Sequence, residues 1–387
     1  MDTIIWYIKH IVVIKMRKPL TFLNGVKCSE QLINDIIFMC ENRVKSTYFT
    51  RRGKMSFQDI IVFTLNFVKK SLQLELDLFF KNIKGEAMSI TKQSFSEARL
   101  KILPDAFIKI FYQIVEWYYG TVSFKTYKGY RLSAIDGSII ELINSQILRD
   151  AYGYEKNVHK MTARALVSGL YDLENEIMIA AKINRCKYGE RKAAMELIDE
   201  LIRIGIKTDL ILFDRGYPAT ALISKLENAG IKYVMRTSTV FLKVVKEAKE
   251  PDQVIEIPDG NKGFIKIRVV KFLLDSGVEE TLITNLSDQE FGIQELKELY
   301  FKRWGVETKY SELKNRLQLE NFTGDTPIAV EQDFYASMYL CNMVALAKAD
   351  ANATIEKKHQ STTLKYGYQV NSNILIGKLR ESFIVIL

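Results

Sequence analysis

The order of apolar runs between residues 131 and 235 constrains the fold more than any other feature of the sequence. Five runs of strand length, at 131–136, 162–171, 176–184, 209–214 and 231–235, are rich in Ile, Val and Tyr. An amphipathic helix at 189–204 and a second helix that begins at Pro218 separate the last three runs. The order β-β-β-α-β-α-β is typical of a mixed sheet with helices on its faces. The sequence therefore predicts an α/β fold.

The rest of the chain divides around this core. Residues 29–119 carry apolar residues at helical spacing, and residues 237–286 carry strand-like runs around a Pro-Asp-Gly-Asn turn. Helical spacing returns as one helix from 295 to about 317, and again at 329–349 and 374–386. We expect a helical N-terminal region (1–125), the first part of the core (126–236), a β-rich insertion (237–286), the second part of the core (287–325) and a helical C-terminal region (326–387). The insertion should protrude from the core.

The charge balance favours a polyanionic partner. The 387 residues contain 55 Lys and Arg against 46 Asp and Glu, a net charge of +9. An excess of this size favours nucleic acid over a membrane. The apolar runs at 4–8 and 11–14 are too short for a signal sequence or a membrane span, so the start of the chain is predicted to be a surface strand or an ill-ordered lead-in. The four cysteines are scattered without a CxxC pair, which fits a reducing compartment.

One segment of the N-terminal region has the pattern of a DNA-reading helix. Thr91 or Ser94 can cap a short helix at this point. The polar residues of its outer face would be Lys92, Gln93, Glu97, Arg99 and Lys101. Helix-turn-helix proteins present side chains to bases on a short helix of this kind. An ordinary surface helix has the same pattern, so DNA binding by residues 1–125 is a hypothesis.

Three acidic residues are candidates for metal chemistry. Asp136 and Asp214 each end a predicted strand, and Glu307 lies on the predicted helix that begins at 295. Functional groups collect where the strands of an open sheet end. Two divalent ions about 4 Å apart, held by carboxylates, can activate a water and stabilise the leaving oxygen of a phosphodiester. An Asp before Gly is also a common turn residue, so the three acids together carry more weight than any one alone.

The helix of Glu307 has an unusual polar stripe. Tyr300, Arg303, Glu307 and Lys314 lie at offsets that place them within roughly 60° of arc on one face. A stripe that packs on a core should be apolar, whereas this one suits a metal-binding carboxylate flanked by donors to phosphate oxygens. A solvated charged face is the alternative, and it suits Lys302, Lys309 and Glu312 better than these four.

Together these motifs resemble those of DDE transposases of the insertion-sequence-four type. The matching motifs are Asp136-Gly137-Ser138, Asp214-Arg215-Gly216-Tyr217, and Tyr-x2-Arg-x3-Glu-x6-Lys at Tyr300, Arg303, Glu307 and Lys314. The last is the YREK signature of that family, and the resemblance covers residues 125–322. It implies a ribonuclease-H-like mixed sheet flanked by helices, with a β-rich insertion and an α-helical N-terminal domain.

The resemblance also implies roles for these residues. Asp136, Asp214 and Glu307 would be catalytic and would bind two Mg²⁺ ions, with Mn²⁺ as a substitute. The residues that would hold DNA phosphates are Tyr300, Arg303, Lys314 and Arg215. The partners would be double-stranded DNA, both the terminal inverted repeats and the target, and no membrane. A homodimer would form when two ends are synapsed, in a bacterial cytoplasm and at the nucleoid when DNA is bound.

The function implied is cleavage of element ends by a metal-activated water, followed by joining of the 3′ hydroxyl to target DNA. Two alternatives stay open at this point. One is a ribonuclease-H-like nuclease that cuts without strand transfer. The other is a shortened inactive copy that binds DNA, because the chain ends in the apolar run 383–387 where members of the family often continue with a basic tail.

Overall fold

The structure is a computed structural model that describes residues 20–66, 71–85, 89–156, 160–205, 208–237, 241–259, 263–274, 276–359 and 369–386. The lead-in predicted at the start of the chain falls at residues 1–19, outside the described residues. The described residues fall into two compact units. The first comprises Met1–Ser123, Leu142–Ala151 and Glu312–Leu387, and the second comprises Phe124–Glu141 and Tyr152–Ser311.

The second unit is built on a mixed sheet. Its strands are β1 (Arg131–Glu141), β2 (Tyr154–Lys156), β3 (Met161–Asp172), β4 (Ile177–Arg185), β5 (Asp209–Phe213), β6 (Lys232–Arg236), β7 (Asp252–Pro258), β8 (Phe264–Leu273) and β9 (Glu279–Thr284). β4, β3, β1, β5 and β6 lie side by side in that order, and β2 pairs with the first residues of β3. β3 runs antiparallel to both β1 and β4, whereas β1, β5 and β6 are parallel. The predicted mixed α/β fold is confirmed.

The parallel strands form the centre of this unit. Every residue of β5 is buried, as is the first half of β1, which is expected of parallel strands covered by helices on both faces. The helices of the unit are α8 (Glu190–Ile204), α9 (Thr220–Asn228), the short α10 (Lys243–Lys246) and α11 (Ile293–Phe301). Helix α8 buries its apolar stripe, Ala193, Ala194, Leu197, Ile198 and Leu201, and contacts β3 and β4.

The prediction that residues 237–286 protrude from the core is wrong. The segment is rich in strands, as expected, but β9 pairs antiparallel with β6 through Val234↔Thr284 and Met235↔Ile283. β8 pairs with β9 and β7 pairs with β8, so the segment extends the central sheet. This arrangement has a physical reason. Without β9, the N–H and C=O groups along the outer edge of β6 would lack hydrogen-bond partners.

The single helix predicted from 295 to about 317 is also interrupted. It consists of α11 and α12 (Trp304–Asn315), with a turn at residues 302 and 303. The amides of Arg303, Gly305 and Val306 bond carbonyls three residues back rather than four, which tightens the chain at this point. A Cβ at Gly305 would lie 2.8 Å from Leu173 Cδ2, so the glycine permits close packing of the turn.

The first unit is helical. Its helices before the sheet are α1 (Thr21–Ile33), α2 (Ile36–Asn42), α3 (Phe57–Leu65), α4 (Leu72–Phe79), α5 (Lys92–Arg99) and α6 (Asp105–Thr121). The others are α7 (Gln146–Tyr152), α13 (Pro327–His359) and α14 (Ser372–Ile386), and α12 runs into this unit. The expected N-terminal and C-terminal helical regions pack on each other, because α13 contacts α1, α3 and α6.

The predicted helix at 90–101 is confirmed as α5, and the Thr91 hydroxyl caps it by accepting from the Ser94 amide. The placement of Arg99 on its outer face is wrong. Arg99 is 1% exposed, and its guanidinium donates to Gln332, Thr323 and Asp333. Gln332 and Thr323, which accept from Arg99, lie more than 220 positions away in sequence. The local sequence pattern therefore could not predict that Arg99 is buried.

Among the described helices, none has the length and apolar character needed to cross a membrane.

Candidate active site

Asp136 and Asp214 lie at matching positions on adjacent strands. The parallel register of β1 and β5 pairs Ala134 with Leu212, and each acid follows two residues later. The prediction that β1 ends at Asp136 is wrong, because β1 continues to Glu141 through pairing with β3. Only the pairing of β1 with β5 stops before the acid. Asp136 therefore lies just beyond the paired residues of β1 and β5, beside Asp214.

Glu307, on α12, lies near the two aspartates. The guanidinium of Arg303 donates from Nη2 to Glu307 Oε1 at 2.6 Å, and the same nitrogen lies 4.0 Å from Asp214 Oδ1. The Tyr300 hydroxyl donates to Asp214 Oδ1 at 3.2 Å. Arg303 is 4% exposed, whereas the Asp214 and Glu307 side chains keep 39% and 38% of their surface open. The structure thus brings together Asp136, Asp214, Glu307, Tyr300 and Arg303.

Sequence reasoning missed the residue that fastens the Glu307 helix to the sheet. Tyr310 is 7% exposed and its hydroxyl donates to the backbone carbonyl of Asp136 at 2.9 Å. Gly169 is the partner of Asp136 in the β1–β3 register, and a Cβ there would lie 3.1 Å from the Tyr310 hydroxyl oxygen. Two signals were available: Tyr310 is one helical turn from Glu307, and a glycine inside a strand often marks a close approach.

A fourth acid, Glu190, was also missed. It is the first residue of α8, and its side chain lies over the glycines that follow the two aspartates. A Cβ at Gly137 would lie 3.3 Å from Glu190 Cγ and Oε1, and one at Gly216 would lie 3.7 Å from Oε2. Sequence alone placed Glu190 on an amphipathic helix and gave no sign that its side chain lies near glycines of both aspartate motifs.

The crowding of acids changes the chemistry of Asp136. Burial raises the pKa of the Asp136 carboxyl from 3.8 to about 6, and the charges of Glu307 and Glu190 push it in the same direction. The Gly137 amide and the Arg303 guanidinium oppose this rise. Beneath the acids, Tyr217 is 2% exposed, and its hydroxyl has no hydrogen-bond partner within the described part of the chain. Burial raises the pKa of that phenol well above its usual value.

A second basic network borders Asp214. Arg236 on β6 lies 3.9 Å from Asp214 Oδ1 and donates from Nε to Glu280 Oε2 at 2.5 Å. Arg215, predicted to contact DNA, is 52% exposed and lies 3.6 Å from the same Glu280 carboxylate. Glu280 belongs to β9, so the strands added at the sheet edge supply a carboxylate that holds both arginines.

Lys314 is the member of the predicted stripe that the core unit does not include. It lies on α12 seven residues after Glu307, within the helical unit, and its Nζ is 4.0 Å from Glu320 Oε1. Its predicted role at a phosphate is therefore not tested by the contacts around Asp214.

The donor set of the site suits divalent ions. Carboxylate oxygens are the ligands that Mg²⁺ and Mn²⁺ prefer. Within the described ranges, no group of three or more His, Cys, Asp and Glu side chains is arranged to bind a metal. The Arg303 guanidinium instead stands between Asp214 and Glu307, where it supplies positive charge to both. The carboxylates fit a divalent cation, and the Arg303 guanidinium lies near two of them.

Comparison with known proteins identifies the family. A model described as "Transposase DDE domain" matches residues 127–343, more than half of the chain. The chain belongs to the transposase DDE domain family. It is a DDE transposase, an enzyme that acts on DNA, and the family uses divalent metal ions. The matched residues include Asp136, Asp214 and Glu307.

The fold is similar to that of a solved transposase. The cryo-EM structure of the piggyBac transposase synaptic complex with hairpin DNA superposes with a TM-score of 0.51 at 12% sequence identity. The match covers 93% of this chain and 80% of that chain. At this identity the likeness concerns the fold. No curated protein sequence matches the chain.

Proposed function

We propose that this transposase is of the insertion-sequence-four type, and that it cuts the ends of an insertion sequence and joins them to target DNA. The observation that carries the proposal is the meeting of three acids from separate parts of the chain. Asp136 on β1 and Asp214 just after β5 each lie two residues beyond the last paired residues of the two strands, and Arg303 lies near both Glu307 and Asp214. The Tyr-x2-Arg-x3-Glu-x6-Lys spacing supports the assignment to this type.

In this proposal Asp136, Asp214 and Glu307 are the catalytic carboxylates and would hold two Mg²⁺ ions, which Mn²⁺ can replace. Bound ions of this kind activate the attacking water and stabilise the leaving oxygen. Arg303, once released from Glu307, presents a planar pair of donors to a phosphate of the transposon end. Tyr300 donates a hydroxyl beside it, and Lys314 and Arg215 contribute positive charge along the DNA.

The reaction needs no nucleotide cofactor. In cleavage, the water oxygen forms a bond to phosphorus while the bond from phosphorus to the 3′ oxygen breaks, which releases a 3′ hydroxyl. In joining, that hydroxyl forms a new bond to a target phosphorus and one target phosphodiester bond breaks, so the number of such bonds is conserved. Burial of the Asp136 carboxylate, and its contact through the backbone with Tyr310, keep the acid fixed while the DNA is exchanged.

The two units would divide the work. We assign the core (126–236 and 287–325), with the strands of 237–286, to chemistry, and the helical residues 1–125 and 326–387 to holding the transposon end. Because two ends must be brought together, a homodimer would form on DNA. Light scattering of the protein with and without a duplex carrying the terminal repeat tests this: a mass that stays monomeric with two ends bound contradicts it.

The decisive experiment separates a transposase of this type from a nuclease. The protein is incubated in Mg²⁺ with a precleaved transposon end that carries a free 3′ hydroxyl and with supercoiled target DNA. We expect the end to become covalently joined to the target. Cleavage of an uncut end without any joined product would favour the nuclease, and binding without either product would favour an inactive copy. The presence of all three acids counts against the inactive copy.

A further inference from the structure

The helical unit contains a basic cavity that no part of the proposed chemistry uses. It has a volume of about 560 Å³ and lies between the loop that precedes α3 and the start of α5. Its polar lining includes Tyr48, Arg51, Lys54, Thr91, Ser94 and Lys101. The lining contains three basic side chains and no acidic one. The hydroxyls of Thr91 and Ser94 bond each other at 3.0 Å beside the first turn of α5, which leaves one hydroxyl proton to donate to a ligand.

The basic side chains around this cavity lie close to one another. The ammonium groups of Lys45 and Lys101 lie 5.7 and 5.6 Å from the centre of the same Tyr48 ring. Within the part of the chain that the structure describes, Lys45, Arg51, Lys54 and Lys101 form no ion pair. Like charges held together without a carboxylate repel each other, and an anion that enters the cavity relieves this repulsion.

The loop that forms the cavity wall is held in place by specific contacts. The backbone of Val44 bonds the carbonyl of Lys101, and Arg43 Nη1 donates to the carbonyl of Tyr48 at 3.1 Å. These bonds hold the loop where Lys45 and Lys101 both lie near the Tyr48 ring.

One residue of the loop is strained. Phe49 has φ of +59°, a left-handed conformation that an aromatic residue rarely adopts and that costs about 1 kcal/mol or more. Its ring packs edge-on against the buried Phe57, with centroids 5.5 Å apart, which fixes the strained turn. Strain that is held by surrounding contacts is typical of a binding loop rather than of a passive connection.

We propose that this cavity binds the sugar-phosphate backbone of duplex DNA. The proposal rests on the proposed function only in taking DNA as the polyanion. Arginine, lysine and hydroxyl donors on a concave surface are the groups that hold phosphates in protein–DNA complexes. The interaction fixes the position of DNA on the helical unit without reading its sequence. Of the residues predicted on the outer face of α5, Lys101 lines the cavity, whereas Arg99 is engaged by Asp333 and Gln332.

The test compares two variants that remove the same charge from the same unit. The cavity variant is Arg51→Gln/Lys54→Gln/Lys101→Gln. The matched control is Lys27→Gln/Lys81→Gln/Lys109→Gln, whose three lysines do not line the cavity. Binding to two short fluorescent duplexes, one with the terminal repeat and one scrambled, is measured in EDTA over a series of salt concentrations.

We expect the cavity variant to bind both duplexes at least about tenfold more weakly, and the slope of log Kd against log salt to fall by about 0.9 for each DNA phosphate that the variant no longer neutralises. The control should weaken far less. Equal behaviour of the two variants overturns the proposal. If the cavity variant unfolds, Lys54→Glu against Lys81→Glu decides the matter in the same way, since both side chains are exposed. Binding in EDTA is independent of catalysis, so a wild-type protein that binds DNA but never joins it would contradict the proposed function and leave the cavity proposal standing.

Discussion

The Arg303 guanidinium bonds the Glu307 carboxylate at 2.6 Å while its other near neighbour, Asp214, lies 4.0 Å away. The buried Arg303 guanidinium thus lies near two carboxylates, Asp214 after β5 and Glu307 on α12. Three carboxylates in one place repel one another, and the guanidinium offsets part of that repulsion. The same arginine is the proposed phosphate donor, so the nitrogen that bonds Glu307 has to leave this carboxylate before it can bond DNA.

Replacing Arg303 should therefore have opposite effects on metal binding and on cleavage. In Arg303→Met, Glu307 loses the guanidinium that bonds it and Asp214 loses one of two nearby guanidiniums, the other being Arg236. We expect the protein to lose about 1–2 kcal/mol of stability in EDTA. Isothermal titration should show tighter Mn²⁺ binding, because no resident charge has to leave, while DNA cleavage falls. Arg203→Met, which removes an arginine that is half exposed and bonds Glu200, is the control. Weaker Mn²⁺ binding by Arg303→Met would show that the arginine supports the metal rather than competing with it.

Glu307→Gln should separate chemistry from binding. The amide keeps the size of the side chain and its capacity to bond Arg303, but it removes a charged ligand. We expect near-complete loss of end cleavage in Mg²⁺, with binding of the same end retained in a gel shift. Glu298→Gln, on α11, should cleave as the wild type does. Wild-type cleavage by Glu307→Gln would remove this acid from the metal site and leave Tyr300, Arg303 and Lys314 as a DNA-binding face.

Lys314→Ala should weaken engagement of DNA more than the chemical step. A lysine meets phosphate as a point charge, so its loss lowers affinity and reduces the salt dependence of binding by about one unit of slope. Cleavage measured at saturating DNA should fall less than cleavage measured below saturation. An equal fall under both conditions would place Lys314 in the chemical step instead.

The contrast between Asp214 and Asp136 shows how much of this site the sequence could predict. Asp214 ends an apolar run that is buried on both faces, so its position at a strand end was readable from the pattern. Asp136 was predicted to end its strand in the same way, and this was wrong, because β1 continues by pairing with β3 after β5 has stopped. Which neighbour a strand has at each residue is a tertiary property.

The wrong prediction that residues 237–286 protrude from the core also arose because strand pairing is a tertiary property. The strands of 237–286 were visible as apolar runs, but nothing in those residues states that β9 completes the edge of β6. Glu190 and Tyr310 join the site through glycines at positions 137 and 169, which matter only once the strands and helices are packed. Sequence reasoning thus recovered the residues that carry a motif and missed those that the packing adds.

The raised pKa of Asp136 predicts a pH-dependent stability. Its folded pKa is about 6 against 3.8 for the ordinary carboxyl, so the folded protein holds the proton more tightly. The stabilisation that this gives is complete below about pH 4 and is lost as the pH rises through 6. In EDTA, Asp136→Asn should be more stable than the wild type at pH 8, by about 1–3 kcal/mol, and similar to it at low pH. Asp288→Asn, in an exposed loop, should show no such difference. A stability gain that is the same at pH 5 and pH 8 would contradict the burial of a charge at Asp136.

The strands that carry the two aspartates begin with a buried ion pair, and breaking it should be costly. Arg131 Nε and Nη2 donate to the two oxygens of Asp209 at 2.6 and 3.0 Å, and the side chains are 0% and 1% exposed. Burial raises the pKa of Asp209 despite the bonds from Arg131, which indicates that the pair is expensive to bury. In Asp209→Asn the guanidinium stays buried without a counter-charge, and we expect a loss of about 3–5 kcal/mol in denaturant unfolding.

Two controls define the origin of that loss. Asp199→Asn breaks the pair with Lys225, in which the aspartate is 65% exposed, and should cost less than about 1 kcal/mol. Arg131→Met/Asp209→Leu removes both charges and fills the space with apolar atoms, so it should recover most of the stability that Asp209→Asn loses. A double variant as unstable as Asp209→Asn would show that the geometry of the pair, rather than an uncompensated charge, holds the first residues of β1 and β5 in register.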